Sequence, residues 1–314
     1  MQARWLLALA GVLIVGAFVV TRTVDNRYVY FAAYGILQYV LLATAWNILG
    51  GYTGYVNFGT GAFFALGAYT SVFLIQAVQA PLVVLIVAGG LVSGLLGFGI
   101  GYLTLRLRGV FFSIATLALA VVLETMMVNW EYVGGAKGIS IIRPSAGPLF
   151  TNYVQLLFVV MAALAMGAVA VAWFIEHSRI GRGFATIRDN EEAAECMGVP
   201  TLRLKLLATT VSGCLMGIAG APFPYYITFV EPVSAFNLSY AVNSLAMPMV
   251  GGTTSWVGPI IGAVLLGTLQ QLATVTISSE LNLLIVGVVL VAFVVLAPEG
   301  ILGLLRRGTR RTRA

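Results

Sequence analysis

Apolar residues run through this chain in long blocks separated by short polar connections. The blocks cover roughly 5–20, 28–49, 56–79, 82–105, 109–130, 153–176, 206–228, 238–251, 257–278 and 282–304. A helix that crosses the hydrocarbon layer needs about 20 predominantly apolar residues, so the pattern predicts an all-α polytopic transmembrane bundle. About ten spans are expected, within a range of eight to eleven. The block at 238–251 is too short for a full crossing. It is expected to be a half-helix or a re-entrant piece, which is tolerated only where protein or a water-filled cavity surrounds it. The first block, with its basic flank, imitates a secretory signal but shows no small-x-small cleavage site, so an uncleaved first span is expected.

One long polar stretch interrupts the blocks, His177 to Lys205, with five basic residues, Arg179, Arg182, Arg188, Arg203 and Lys205. Its middle reads as a short helix. Asp189 followed by Glu192 matches a capping box, and Gly198 followed by Pro200 supplies a stop. Between them Ala193, Ala194 and Met197 form a small apolar face. A helix of about two turns is marginal alone in water, so it must dock, either on its own membrane domain or on a partner.

Composition settles the class. Of 314 residues 60% are hydrophobic and 9% charged, against about 25% charged in soluble domains. The formal net charge of +6 does not call for nucleic acid, because the bases gather at the membrane edges. If the 177–205 loop is cytoplasmic, alternation of the spans also puts Arg4, Arg106, Arg108 and the five arginines of the tail 305–314 inside. Only Arg22, Arg27, Lys137 and Arg143 then lie outside, a strong positive-inside bias that places both termini in the cytoplasm. The longest external connection is 130–152. No linker or soluble unit divides residues 1–314, which read as a single transmembrane domain.

Chemistry is sparse. There is no phosphate-loop motif, no zinc-protease motif and no nucleophile elbow, and the single histidine, His177, makes no metal site alone. No cofactor motif appears. Cys196 and Cys214 do not suggest a disulfide. Ionisable residues deep in spans are usually functional, and Glu124, mid-way along 109–130, is the clear case. A carboxylate standing alone fits a structural hydrogen bond to a neighbouring helix, or substrate or gating duties. Glu176 and Arg106 lie near span ends and are expected to snorkel to the interface. The uncharged candidates for a pathway are Asn47, Thr53, Asn57, Thr60, Ser113, Thr116, Asn243, Ser244 and Thr253. Asn57 and Asn243 rank first, because each sits beside Gly-rich backbone of the kind that interrupts spans at transport sites. The runs 50–70 and 251–268 also share several residues at an offset of 201, a thin hint of internal repetition.

Several segments carry a family resemblance. Glu192-Ala193-Ala194 with Gly198 resembles the start of the cytoplasmic docking loop of ABC importer permeases, although Ala208-Thr209-Thr210 stands where that loop's closing Ile-x-Leu-Pro is usual. The run 181–206 resembles the branched-chain amino acid permease family, in its LivM-like half, and Gly51 to Thr70, Leu105 to Ala118, Gly134 to Gly138, Met249 to Pro259 and Ala297 to Arg307 resemble five further blocks of it in family order. The resemblance implies a permease subunit of an ABC importer in the bacterial inner membrane. Its partners would be a second, LivH-like permease, two cytoplasmic ATP-binding subunits, a periplasmic substrate-binding protein and membrane lipid. Asp189, Glu191, Glu192, Ala193, Ala194 and Gly198 would then couple to the ATPases. Thr53, Asn57, Thr116, Glu124, Asn243 and Ser244 are the pathway candidates. Relatives in the family take urea, short amides or other amino acids. An ion-coupled secondary transporter or channel, or a membrane scaffold, is the rival reading of the same composition.

Overall fold

A computed structural model describes residues 26–104, 109–145 and 150–276, with residues 284, 287–288, 291 and 300–303 beyond them. The expected span at 5–20, most of the one at 282–304, Arg4, Arg22, Arg106, Arg108, the tail arginines and both termini lie outside the described residues.

The long helices are α1 (Arg27–Thr53), α2 (Thr60–Val78), α3 (Leu82–Thr104), α4 (Val110–Val128) and α5 (Tyr153–His177). Two polar helices follow, α6 (Arg179–Asp189) and α7 (Glu191–Cys196). The chain then re-enters the bundle as α8 (Thr201–Gly220), which leads into the single-turn α9 (Phe223–Ile227). After it come α10 (Pro232–Ala235), α11 (Leu238–Gly251) and α12 (Val257–Thr276). Among the described residues seven helical stretches are long and apolar enough to cross a membrane, and α11 is not one of them. Where a half-helix or a re-entrant piece is expected, at 238–251, the chain forms a helix of 14 residues.

Helix α1 lies at the centre, packed against α5, α8, α11 and α12, with Tyr34, Leu41, Leu42, Ile48 and Leu49 fully buried. The most extensive contact is between α3 and α8. Glycines let their backbones meet: a Cβ at Gly217 of α8 would lie 2.5 Å from the Gly89 carbonyl oxygen, and one at Gly67 of α2 would lie 2.7 Å from the Gly217 carbonyl carbon. Lipid tails are as apolar as leucine, so helices associate in membranes through such close backbone packing. Helix α4 sits at the edge, with Val110, Phe111, Ile114, Val121, Val122 and Met126 exposed.

At one end of the bundle the strands β1 (Ile139–Ser140) and β2 (Phe229–Val230) pair antiparallel, Ile139 opposite Val230. Arg143 closes this end. Its Nε and Nη2 each donate, at 2.6 Å, to the carbonyls of Tyr225 and Tyr226. These are free helix-terminal acceptors of α9.

Glu176 does not snorkel. Its carboxylate is turned inward, accepting from the Tyr52 hydroxyl at 3.2 Å and the Trp256 backbone N–H at 2.6 Å. It thereby ties the ends of α1 and α5 to the α11–α12 connection.

Candidate functional site

Two places combine irregular backbone with charge, and one stretch of chain joins them. The first is the α6–α7 pair. Ser178 caps α6 by accepting from Ile180 N–H at 3.1 Å and Gly181 N–H at 3.3 Å, and Phe184 and Ile187 bury its apolar side. Asp189 is the last residue of α6, so it does not cap α7. Asn190 does, its Oδ1 accepting from Ala193 N–H at 3.0 Å. Glu192, two residues beyond that cap, completes no capping box. The expected stop is present: Gly198 has φ +80 and Val199 N–H donates to the Ala194 carbonyl at 3.0 Å.

The faces of α7 differ from the sequence expectation as well. Ala194 is turned into the subunit, 4% exposed, while Met197 is 84% exposed. Ala193 and Glu192 face outward with Met197, so these residues form the surface available to a partner and Ala194 seats the helix on its own chain. Glu191 also points inward. Its Oε1 meets Lys205 Nζ at 2.6 Å, and its Oε2 accepts from the Tyr55 hydroxyl. Lys205 is 3% exposed, lies 3.1 Å from that hydroxyl and stands over the Tyr55 ring at 4.7 Å.

Tyr55 belongs to an extended break between α1 and α2. Gly54, at φ +80, ends α1, and residues 54–58 are neither helical nor turned. Side chains satisfy four of the backbone groups that the missing helix leaves over, in keeping with the demand that burial in a membrane makes. Trp46 Nε1 donates to the Asn57 carbonyl at 2.8 Å, and the Ser113 hydroxyl donates to the Val56 carbonyl at 2.9 Å. Phe58 N–H donates to Thr116 Oγ1 at 3.1 Å, and Gly59 N–H to Asn57 Oδ1 at 2.7 Å.

This break leads to a second one. A Cβ on Gly61, at the start of α2, would lie 3.2 Å from the carbonyl oxygen of Asn237, the N-cap of α11. The other end of α11 is level with the end of α1, since a Cβ on Gly51 would lie 2.7 Å from the Thr253 carbonyl oxygen. Fourteen helical residues rise about 21 Å, less than the roughly 30 Å of a hydrocarbon layer. The starts of α2 and α11 therefore lie beside each other part-way along the bundle, with Thr60 buried and Leu238 exposed.

A cavity of about 360 Å³ opens where they meet. Helix α4 contributes Leu117, Ala120, Val121 and Glu124, one helical stripe at i, i+3, i+4 and i+7; Phe58 and Gly61 contribute from the first break, and Phe236, Asn237 and Leu238 from the second. Glu124 is not mid-way along its helix. Four residues, about 6 Å of rise, separate it from the end of α4 at Val128. It makes no hydrogen bond to another described residue, so the expected bond to a neighbouring helix is absent there.

Of the six pathway candidates, Glu124 alone lines this cavity. Asn57 and Thr116 shape the break next to it. Thr53 donates to the Leu49 carbonyl at 2.6 Å, at the far end of α1. Asn243 bonds Tyr39 and Gln270, at 3.2 and 2.9 Å, joining α11 to α1 and α12, and Ser244 donates to the Tyr240 carbonyl at 2.6 Å. Sequence reasoning missed Tyr55, Lys205, Phe58 and Asn237. The Gly-bounded segment 54–59 was the available signal for Tyr55 and Phe58, an Asn preceding a span that is too short was the signal for Asn237, and Lys205 carried none beyond its place in the polar stretch.

Residues 27–294 match a family described as the branched-chain amino acid transport system / permease component. The chain is similar to the high-affinity branched-chain amino acid transport system permease protein LivM of Salmonella typhimurium, 29% identical over 97% of this chain and 76% of the relative. It is also similar to the LivH permease protein of the same system in that organism, 22% identical over 84% of this chain and 91% of the relative. The autoinducer 2 import system permease protein LsrC of Klebsiella pneumoniae is 27% identical over 66% of this chain and 58% of the relative. No solved structure gives a significant match.

Proposed function

Because this chain belongs to the family of branched-chain amino acid transport permease components, we propose that it is a transmembrane permease subunit of an ABC importer in the bacterial inner membrane. It forms half of a pathway for branched-chain or related amino acids. Similarity to both LivM and LivH fits a complex in which two related permeases face each other. Two ATP-binding subunits on the cytoplasmic side and a periplasmic binding protein complete the importer. With the spans at 5–20 and 282–304 the chain has about ten membrane segments and cytoplasmic termini, in keeping with the distribution of Lys and Arg. The relative named for autoinducer 2 import supports a different small polar cargo as the second reading.

One observation carries the mechanism: the Glu191–Lys205–Tyr55 cluster joins the polar surface helix to the broken segment beside the cavity. The outward residues Glu192, Ala193 and Met197 meet an ATPase. When the ATPases close, α7 is displaced, and the buried ion pair obliges Tyr55 to follow. Residues 55–58 form no helix and no turn, so a displacement of Tyr55 is passed along only four residues to Phe58, which is a wall of the cavity. This is alternating access driven from one side.

The experiment is ATP-driven uptake in proteoliposomes holding both permeases and both ATPases, with Met197→Arg in this chain. Loss of both ATPase co-purification and uptake is the expected result. Full retention of both refutes the assignment of α7 as the coupling element.

A further inference from the structure

We propose that the cavity between α4, the start of α2 and the start of α11 is a cargo site in which Glu124 receives the ammonium group of an aliphatic α-amino acid. The inference rests on the importer reading above and goes beyond it by naming the group that recognises the cargo.

A volume of about 360 Å³ lies at the small end of the range for small-molecule sites. The lining is aliphatic and aromatic apart from two polar side chains, Glu124 and Asn237. The Asn237 carboxamide oxygen is already engaged, accepting from Ser239 N–H at 2.9 Å and from the Ser239 hydroxyl. Glu124 is the only charged side chain of the lining, and it has no hydrogen-bond partner among the described residues. Ionisable residues within membrane helices are costly and pair with something. No base of the lining offers itself, so the partner comes from outside the described chain.

The rest of the wall says what accompanies that positive group. Leu117, Val121, Val233 and Leu238 line the space along its open side, each of them exposed in this subunit, and aliphatic walls favour an apolar body. The start of α11 forms another wall, and a helix start favours negative charge. A small zwitterion with a branched apolar side chain satisfies all three surfaces. The site also stands where the coupling path ends, since Phe58 belongs both to the non-helical segment 54–58 and to the cavity wall.

The test uses the complex of both permeases and both ATPases in nanodiscs, without the binding protein. Equilibrium binding is measured for L-leucine and for 4-methyl-2-hydroxypentanoate, which keeps the aliphatic body and the carboxylate but carries a hydroxyl in place of the ammonium. The unsubstituted complex is expected to prefer leucine roughly tenfold or more, the scale of one hydrogen bond to a charged group. Glu124→Gln should reduce that preference to within about twofold while the second permease still co-purifies, and Glu124→Asp should restore most of it. If Glu124→Gln leaves the preference intact, the site assignment is overturned while the importer reading stands on measured uptake. If it instead releases the second permease and the remaining complex still discriminates, Glu124 is half of an intersubunit ion pair and the proposal is wrong. Absence of ATP-driven uptake of any amino acid by the unsubstituted complex removes the importer reading and this assignment together.

Discussion

Lys205→Met isolates the cluster that holds α7 to the bundle. The substitution removes a charge that is 3% exposed and 2.6 Å from its partner, Glu191, whose side chain is 14% exposed. At that separation the attraction is about 6 kcal/mol for an effective dielectric near 20. Desolvation of the two ions cancels much of it, so the intact pair adds little net stability. Removing one partner is different. Glu191 is then left in a mostly enclosed site with the Tyr55 hydroxyl as its remaining bond in the cluster, and breaking a buried pair in this way costs about 3–5 kcal/mol. Methionine keeps the length and apolar volume of the lysine stem, so packing changes contribute little. The assay is thermal loss of the monodisperse peak in size-exclusion chromatography of the detergent-solubilised subunit, run for Lys205→Met, Glu191→Gln and the double variant. The single Lys205→Met variant should melt well below the parent. Adding Glu191→Gln should recover more than half of the loss, because the uncompensated charge is gone. Equal and additive losses, or no loss in either single variant, would refute a coupled buried pair and with it the path from α7 to Tyr55.

Other perturbations follow from the same geometry. Gly217→Val forces a side chain into the Gly89 carbonyl and the Ser93 side chain of α3; overpacking of this kind costs about 1–3 kcal/mol or more, and membrane-inserted protein should fall sharply in quantitative blots. Arg143→Ala removes two 2.6 Å bonds to the Tyr225 and Tyr226 carbonyls, worth about 1.5–3 kcal/mol each as charged hydrogen bonds, and limited proteolysis of right-side-out vesicles should cut the 139–145 segment faster than in the parent. Cys196 is exposed and should react with a membrane-impermeant maleimide only from the cytoplasmic side. Ile142 is 91% exposed, so Ile142→Cys in a Cys196→Ser background should react only from the outside. Labelling of both from one side overturns the proposed topology.

The sequence by itself determined the class and the bulk of the helices. Seven described spans begin and end within a few residues of the apolar blocks, because burial in lipid leaves no alternative to a helix for such a block. That the helix at 238–251 is too short for a full crossing was legible from its length alone, and the end of α7 from Gly198 and Pro200. The polar residues were another matter. Periodicity shows that a side chain lies on a helix, but not which of several neighbours that helix will have. Asp189 and Asn190 are both good caps, and only the extended backbone of Asn190, φ −163 and ψ 107, chose between them. Glu191 and Ala194 looked like outward contacts, yet the packing of α7 against α8 turned them inward. Lys205 looked like one more basic residue of a solvated loop until α8 carried it beneath Tyr55, a position 150 residues away in the chain. The cavity has the same origin. Its walls come from residues 58–61, 117–124 and 233–241, three stretches that no local rule connects. Only the close approach of two interrupted helices, which the absence of a side chain at Gly61 permits, brings them to one place.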